Sequence, residues 1–283
     1  MKVNEQSYLG HLKFAKQAAI SAGKILLRYE KKIESLSVSY KDAEGLASTA
    51  DVASEQFIIK EIQKKYPGHF ILGEESSFEQ AGTNKIELFE RCKKEPFSWI
   101  IDPLDGTNNY LNRLPFYAVC IALAVKGNPV MGVVYVPSTG EMYEAVKGGG
   151  AFFRKAPGER RQRMTCKGFK KDLGQCILAT GFSSEKGKVF DKEFTIFKKM
   201  LENTRGIRRF GSAALDMCWS ARGIIDGFWE KGLAPWDMAA PGIICKEAGL
   251  VLSDFSGGKF DPFVPNVIAA PRRIQTKLTK ILG

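Results

Sequence analysis

Two aspartates separated by only two residues follow a short apolar stretch in the segment WIIDPLDGTNNY, residues 99–110. A strand that ends at Ile101 would deliver Asp102 to the rim of a sheet, and Pro103 fixes φ so that the chain turns there. The turn can bring the carboxylates of Asp102 and Asp105 towards one point, where they repel each other unless a cation lies between them. An Asx-Pro turn that caps a helix is the alternative interpretation. We interpret the pair as ligands of Mg²⁺ or Mn²⁺, because oxygen-only ligands favour a hard cation.

Two further acidic segments also follow apolar sequence. In LGEES, Glu74 or Glu75 would add an oxygen ligand, although the pair alone is more typical of a solvated turn. In PWDMAAPG, Asp237 opens a helix that cannot begin much before it, because a helix tolerates a proline such as Pro241 only in its first turn. Alone, Asp237 is more typical of a helix cap than of a metal ligand. Three such acidic turns favour one shared metal site.

The residues that follow Asp105 are suited to an anion. Gly106 and Thr107 would present backbone N–H groups to a phosphate, as the start of a helix does. The haloacid dehalogenase phosphatases offer a competing pattern, D-x-D-G-T with a nucleophilic first aspartate, but here two residues separate the acids. The two histidines, His11 and His69, adjoin no motif, which favours a metal-assisted hydrolysis over a histidine acid or base.

The elements that must position these residues follow from hydrophobic periodicity. Helical spacing predicts amphipathic helices at 7–32 and from near Asp51 to Lys65, the second capped by Ser48 or Thr49. Strands are predicted in the first half at 70–72, 97–101, 117–125, 130–136 and 141–146. In the second half, strands at 176–179, 207–210, 225–229, 250–252 and 267–270 accompany helices at 188–201, at 213–222 and after Trp236. One domain is predicted, with an antiparallel-rich α+β half at about 1–170 and an α/β half at about 171–283.

Length and composition indicate a soluble globular protein. The 283 residues include 44% hydrophobic and 26% charged residues, and no apolar run is long enough to cross a bilayer. Six scattered cysteines and a polar N-terminus predict a cytoplasmic protein with reduced thiols. The net charge of +11 favours an acidic partner, and five basic residues lie in RKAPGERRQR, residues 154–163. We interpret that segment as a solvated hairpin tip, since no interleaved aromatic residue is available to stack on bases.

The motifs GEES, WIIDPLDGTNNY, GSAALD (residues 211–216) and PWDMAAPG together resemble the inositol monophosphatase family over nearly the whole chain. The sequence is most similar to bacterial inositol-1-monophosphatases, through GSAALDMCWSARGIIDGFWEKGLAPWDMAA. The resemblance implies a five-layer α-β-α-β-α sandwich of the inositol monophosphatase and fructose-1,6-bisphosphatase type. It also implies a homodimer whose activity requires two or three Mg²⁺ ions, with Mn²⁺ as an alternative, and is inhibited by Li⁺.

The resemblance also implies roles for individual residues. The metal ligands would be Glu74, Asp102, Asp105, Asp237 and the backbone carbonyl of Leu104. Thr107 and Asp51 would orient the attacking water, with Glu74 as a further catalytic residue. The substrate contacts would be Gly106, Thr107, Gly211, Ser212, Ala213, Glu230 and Asp237.

Three residues and one segment depart from the family pattern. Asn108 and Tyr110 replace Thr and Phe and would alter the pocket rim, whereas Pro241 replaces a glycine and would alter the local helix. The basic segment 154–163 leaves a more highly phosphorylated substrate open.

The predicted function is hydrolysis of inositol 1-phosphate, or of a related polyol or sugar phosphate, by metal-activated water. Alternative substrates are 3′-phosphoadenosine 5′-phosphate, fructose 1,6-bisphosphate and histidinol phosphate, and a carboxylate at Glu230 counts against the first of these. Glu230 also has a simpler interpretation, as a surface acid paired with Lys231. From a different class, the pI of 9.3 allows a nucleic-acid-binding or protein-binding factor on the same scaffold.

Overall fold

The computed structural model describes residues 8–40, 46–79, 85–166, 170, 172–182 and 188–283. Ser7, the first residue of the first predicted helix, lies outside them. Two short strands, β1 (Val38–Tyr40) and β2 (Leu46–Ser48), pair antiparallel in a small hairpin-like sheet that periodicity did not predict. They lead directly into the helix that carries Asp51.

A seven-stranded sheet occupies the first half of the chain. Its strands are β3 (Phe70–Gly73), β4 (Ser98–Asp105), β5 (Ala118–Val125), β6 (Asn128–Tyr135), β7 (Met142–Val146), β8 (Gly150–Arg154) and β9 (Gln162–Met164), which are adjacent in chain order. β3 and β4 are parallel, and each of the other neighbouring pairs is antiparallel. The prediction of an antiparallel-rich first half is confirmed, and the basic segment joins β8 to β9 as a hairpin.

A five-stranded sheet occupies the second half. Its strands are β10 (Ile177–Thr180), β11 (Gly206–Arg208), β12 (Gly227–Lys231), β13 (Val251–Ser253) and β14 (Asn266–Ala270), and the order across the sheet is β11-β10-β12-β14-β13. β10 is parallel to β11 and β12, whereas β14 is antiparallel to β12 and β13. The strand predicted at 225–229 begins two residues later than expected, because Asp226 lies in the preceding turn and accepts the N–H of Ile177 at 2.8 Å.

The described helices are α1 (Leu9–Glu30), α2 (Thr49–Lys65), α3 (Glu74–Glu79), α4 (Lys85–Lys94), α5 (Thr107–Leu111), α6 (Lys188–Asn203), α7 (Ala213–Arg222), α8 (Pro235–Glu247) and α9 (Arg272–Leu282). Periodicity failed to predict α4 and α9, although Ile274, Leu278 and Leu282 recur at helical spacing in α9 and are buried. The argument from Pro241 was wrong in detail, because that proline lies inside α8 rather than in its first turn. Its ring removes only the hydrogen bond to the carbonyl of Asp237.

The helices and sheets alternate in five layers. α1 and α2 pack on one face of the large sheet, α7 and α8 lie between the two sheets, and α6 and α9 cover the far face of the small sheet. Apolar cores fill the spaces between these layers, so the hydrophobic effect fixes the distance between the sheets. The predicted α-β-α-β-α fold class is confirmed. The division into halves at about residue 170 stays a prediction.

Two other composition-based expectations are tested by the structure. None of the six cysteines, which all lie among the described residues, is in a disulfide bond. Among the described helices, none is both long and apolar enough to span a membrane.

The two histidines lie in a stack of aromatic rings, in which the centroids of His11 and Tyr66 are 4.7 Å apart and Nδ1 of His69 accepts the indole N–H of Trp99 at 3.0 Å.

Candidate active site

The DPLD motif lies within β4 rather than after it. Pairing with β5 is regular up to Asp102 and resumes at Asp105, so the residues between them form a β-bulge. The prediction that the strand ends at Ile101 was therefore wrong, and the bulge takes the place of the expected turn. The N–H of Leu104 donates to Oδ1 of Asp102 at 2.9 Å, which fixes that carboxylate inside the bulge.

Asp237 meets this bulge from the start of α8. Its Oδ2 accepts the N–H of Ala234 at 2.7 Å, so it caps the helix as the simpler interpretation expected. One oxygen from each of Asp102, Asp105 and Asp237 nevertheless lies within 4.8 Å of the other two. Within the described part of the chain, no lysine or arginine forms an ion pair with any of the three. Capping and metal binding are compatible here because a carboxylate has two oxygens.

Burial and mutual repulsion make this cluster unfavourable without a cation. Burial, followed by the charges of Glu74, Asp105 and Asp237, raises the pKa of Asp102 well above its usual range. Burial, followed by the charges of Asp105 and Glu74, does the same to the pKa of Asp237. For Asp105, burial raises the pKa to about 6 although the hydroxyl of Ser212 donates to its carboxylate. A hard divalent cation fits three converging oxygen ligands and would offset this repulsion.

Glu74 stands beside the cluster. It is the first residue of α3, directly after β3, and β3 runs parallel to β4, which places it next to Asp102. It lies outside the group of three by distance, but its negative charge raises the pKa of all three aspartates. Of the two acids that the sequence left open, Glu74 rather than Glu75 therefore acts electrostatically on the cluster.

Glu55 positions the segment that carries Glu74, a role that the sequence analysis missed. Its buried carboxylate accepts the N–H of Glu75 at 2.8 Å and the N–H of Ser76 at 2.7 Å. These bonds cap the short helix α3, which is why LGEES forms a helix start rather than the solvated turn that was the simpler interpretation. The sequence feature that could have indicated this role is spacing, because Glu55 follows Asp51 by one helical turn and lies on the same face of α2.

Thr107 and Asp51 form the hydrogen-bonded pair that the family pattern implies. The hydroxyl of Thr107 lies 2.9 Å from Oδ1 of Asp51 and 3.0 Å from the carbonyl of Leu104. Asp51 is held in turn by a capping box, in which the N–H of Ser48 donates to Oδ2 at 2.9 Å. Burial raises the pKa of Asp51 to about 6, opposed by the hydrogen bond from Ser48. The carboxyl is thus ionised at neutral pH and fixed in place.

A second loop packs against the start of α5. The side-chain amide of Asn109 donates to the carbonyls of Phe116 at 2.8 Å and Phe210 at 2.7 Å. Gly106 has φ = +89°, and a Cβ at this position would lie 3.0 Å from the carbonyl oxygen of Phe116 and 3.2 Å from that of Gly211. The close approach of these two loops therefore requires glycine at position 106.

Ser212 and its neighbours begin α7 at the cluster. Besides its bond to Asp105, the hydroxyl of Ser212 accepts the N–H of Leu215 at 3.3 Å and so caps the helix. The N–H of Ala214 donates to Asp105 at 2.9 Å. The segment expected to contact only substrate thus also orients one of the candidate metal ligands.

A cleft of about 160 Å³ adjoins Asp105 and Asp237 of this cluster. Its lining contains most of the residues expected to contact substrate, namely Gly211, Ser212, Ala213, Glu230 and Asp237. Glu230 packs directly on Gly181, and burial, followed by the charge of Asp105, raises its pKa to about 8. Its interpretation as a surface acid paired with Lys231 was wrong, because Glu230 faces the cleft.

Two of the departures from the family pattern lie apart from this cleft. The hydroxyl of Tyr110 donates to the carbonyl of Leu26 at 2.8 Å, so this fully buried side chain packs towards α1 and does not form the pocket rim. Asn108 is exposed and bonds to Asn112. The basic hairpin between β8 and β9 is separated from β4 by three strands of the sheet.

Comparison with known proteins places the chain in a family. A profile of the inositol monophosphatase family matches residues 10–283. The chain belongs to the inositol monophosphatase family. Proteins named Nus factor SuhB from Haemophilus influenzae and Escherichia coli K12 are 38% and 36% identical over 271 residues, which cover 95% of this chain and 95% of each relative.

Solved structures of the family share the fold. The extragenic suppressor protein suhB from Bartonella henselae is 34% identical, with a TM-score of 0.82 and coverage of 96% of this chain and 98% of its own. An IMPase from Thermotoga maritima is 30% identical, with a TM-score of 0.80 and coverage of 97% of both chains. The predicted family is confirmed. Membership supports a phosphatase and suggests a metal cofactor, consistent with the cluster of three aspartates.

Proposed function

We propose that this protein is a Mg²⁺-dependent phosphomonoesterase that hydrolyses inositol 1-phosphate or a related polyol phosphate. The observation that carries the proposal is the convergence of three carboxylates, from the buried Asp102 and Asp105 and the partly exposed Asp237, beside a fixed Thr107–Asp51 pair. Buried like charges with no basic partner among the described residues are costly unless a cation binds there. The name of the Thermotoga maritima relative, IMPase, supports the same chemistry.

The metal ligands in this proposal are the three aspartates, Glu74 and the carbonyl of Leu104. Two or three Mg²⁺ ions, or Mn²⁺ in their place, would activate water and neutralise charge on the phosphoryl group. Li⁺ inhibition and a homodimer belong to the proposal as properties that family membership supports.

The protein itself orients the attacking water. The single hydroxyl proton of Thr107 is donated to Asp51 or to the carbonyl of Leu104, so in either case the oxygen of Thr107 can accept a hydrogen bond from water. Asp51 is ionised at neutral pH and can accept the proton that the attacking water releases. Backbone N–H groups of Gly106 and Thr107 would receive the phosphate, and Glu230 would receive hydroxyl groups of the alcohol.

The wall of the cleft argues for a neutral rather than an anionic leaving alcohol. Four acids line it, namely Asp105, Asp216, Glu230 and Asp237, with Arg209 as the one basic residue among the described residues of the lining, and three strands separate the basic hairpin at 154–163 from β4. A phosphatase that acts on 3′-phosphoadenosine 5′-phosphate or fructose 1,6-bisphosphate is therefore less well supported than one that acts on a polyol monophosphate.

The test is phosphate release from inositol 1-phosphate, 3′-phosphoadenosine 5′-phosphate and fructose 1,6-bisphosphate, each with Mg²⁺ or with chelator. Asp105→Asn and Glu230→Gln are measured beside the parent, and the exposed Asp191→Asn serves as a matched control. We expect Mg²⁺-dependent turnover of inositol 1-phosphate that Asp105→Asn abolishes, Glu230→Gln weakens and Asp191→Asn leaves unchanged. Turnover of only a bisphosphate would contradict the role of Glu230, and no turnover of any ester would contradict the proposal.

A second candidate function follows from the relatives named Nus factor SuhB. In that case the net charge of +11 would serve a nucleic-acid or protein partner, and the phosphatase scaffold would be a binding surface. Salt-dependent retention on RNA that survives Asp105→Asn would support this function, whereas the absence of retention at low salt would exclude RNA as the partner.

A further inference from the structure

Asp216 is the last residue of the GSAALD motif, and the proposed mechanism does not use it. It lies in α7, four residues after Ser212 and three after Ala213, so the three side chains share one face of the helix. That face lines the cleft, and Asp216 is part of the wall together with Glu230. Its side chain is only 1% exposed, so it is a buried acid inside the site.

The carboxyl of Asp216 has unmet hydrogen-bonding capacity. Its Oδ1 is buried without a hydrogen-bond partner among the described residues. The other acids of this region are held, because Asp105 accepts from Ser212, Asp237 accepts from Ala234, and Glu230 packs on the N–H of Gly181. A buried polar atom without a partner is rare in proteins and calls for a ligand or an ordered water.

The surroundings of Asp216 restrict the chemistry of that ligand. Asp216 lies outside the group of three aspartates whose oxygens converge, which argues against a further metal site. Asp105 is ionised at neutral pH and lines the same cleft, so its charge disfavours an anionic group beside Asp216. Among the described residues that line the cleft, Arg209 alone is positively charged, and its side chain is exposed. A neutral hydroxyl group, which can both donate and accept, fits best.

We propose that Asp216 binds a hydroxyl group of the substrate and is a specificity-determining residue that favours phosphate esters of polyols over esters without hydroxyl groups. This inference rests on the proposed phosphatase function and assigns a second hydroxyl contact beside Glu230. Burial, followed by the charge of Glu230, raises the pKa of Asp216 to about 9, so the group holds its proton at neutral pH and can donate as well as accept.

The experiment compares Asp216→Ala with the parent on two substrates, inositol 1-phosphate and phenyl phosphate. The second ester carries the same phosphoryl group and has no hydroxyl beyond it. We expect KM for inositol 1-phosphate to rise about tenfold, the effect of losing one buried hydrogen bond, while kcat and KM for phenyl phosphate stay within about twofold. Asp191→Asn, an exposed acid, is expected to match the parent on both.

Thermal denaturation shows whether Asp216→Ala still folds, and Asp216→Ser, whose side chain is too short to reach the same hydroxyl, replaces it if the alanine variant does not. Asp216→Asn, whose amide can donate and accept like the protonated carboxyl, should keep most of the parent's affinity. An equal loss on both esters would overturn the proposal, because Asp216 would then act through the fold or the aspartate cluster. Unchanged KM on both would also overturn it, because Oδ1 would then be satisfied by water.

Failure of the phosphatase function itself would be seen as no phosphate release from either ester by the parent. Calorimetric titration of inositol 1-phosphate with Ca²⁺ in place of Mg²⁺ then decides the role of Asp216. Binding that Asp216→Ala weakens about tenfold would support the hydroxyl contact without catalysis. Binding that is absent in the parent, or equal in the two proteins, would overturn it.

Discussion

We expect Asp105→Asn to make the metal-free protein more stable and to remove its stabilisation by Mg²⁺. The asparagine oxygen can still accept the hydrogen bonds from the hydroxyl of Ser212 and the N–H of Ala214. Its NH₂ group carries no negative charge, so the repulsion between Asp105 and the neighbouring carboxylates is removed. Burial raises the pKa of Asp105 from 3.8 to about 6. At about 1.36 kcal/mol per pKa unit, removal of this charge is worth about 3 kcal/mol above pH 6.

The dependence on pH follows from the direction of that shift. Below pH 3.8 the carboxyl is protonated in both the folded and the unfolded protein, so parent and variant differ little. Between pH 3.8 and about 6 the unfolded protein ionises first, and the stability of the parent falls relative to the variant. Above pH 6 the difference is constant.

The assay is thermal denaturation at pH 4 and pH 8, with chelator or with Mg²⁺. At roughly 2 °C per kcal/mol for a chain of this length, Tm of Asp105→Asn in chelator at pH 8 should exceed that of the parent by about 6 °C. Mg²⁺ at 100 times its Kd should add about 2.7 kcal/mol to the parent and little to the variant.

Two results would refute this reasoning. One is a lower Tm for Asp105→Asn than for the parent in chelator at pH 8, which would mean that the carboxylate stabilises the fold. The other is an equal rise in Tm with Mg²⁺ in both proteins, which would place the cation elsewhere. Asp191→Asn removes an exposed charge and should change neither quantity.

Three further predictions concern other parts of the site. Thr107→Val should lower kcat for phosphate release about 10²–10⁴-fold, because only the hydroxyl can orient water, whereas Thr107→Ser should keep most of kcat. A loss of kcat of less than about threefold in Thr107→Val would contradict this role. Gly106→Ala should cost about 1–2 kcal/mol in urea denaturation because of its positive φ, whereas the helical and uncrowded Gly10→Ala should not destabilise. The free energy of unfolding of Asp216→Asn should rise relative to that of the parent by up to about 1.4 kcal/mol per pH unit between pH 4 and 9, because the pKa of Asp216 in the folded protein is about 9. A difference in this free energy that is the same at pH 5 and pH 8 would contradict the shift in pKa.

Features that depend on neighbouring residues were predicted from the sequence. The apolar run before Asp102, the two-residue spacing to Asp105 and the helix start at Asp237 indicated oxygen ligands for a hard cation. The family resemblance then implied the pairing of Thr107 with Asp51, and their atoms lie at hydrogen-bonding distance. Where the conformation depends on long-range contacts, the local pattern left alternatives open: LGEES is a helix start because Glu55, from another element, caps it.

The sequence by itself determined which residues are able to do chemistry, because side-chain type and backbone freedom are local properties. Only the tertiary structure decided which of them face one another. Asp216 lies in a motif that the sequence made visible, yet its unpartnered oxygen and its place in the cleft depend on α7 docking against Asp105. Tyr110 is adjacent to the motif in sequence but is buried towards α1. Burial and pKa arise from packing between distant segments, and one sequence without its contacts does not contain them.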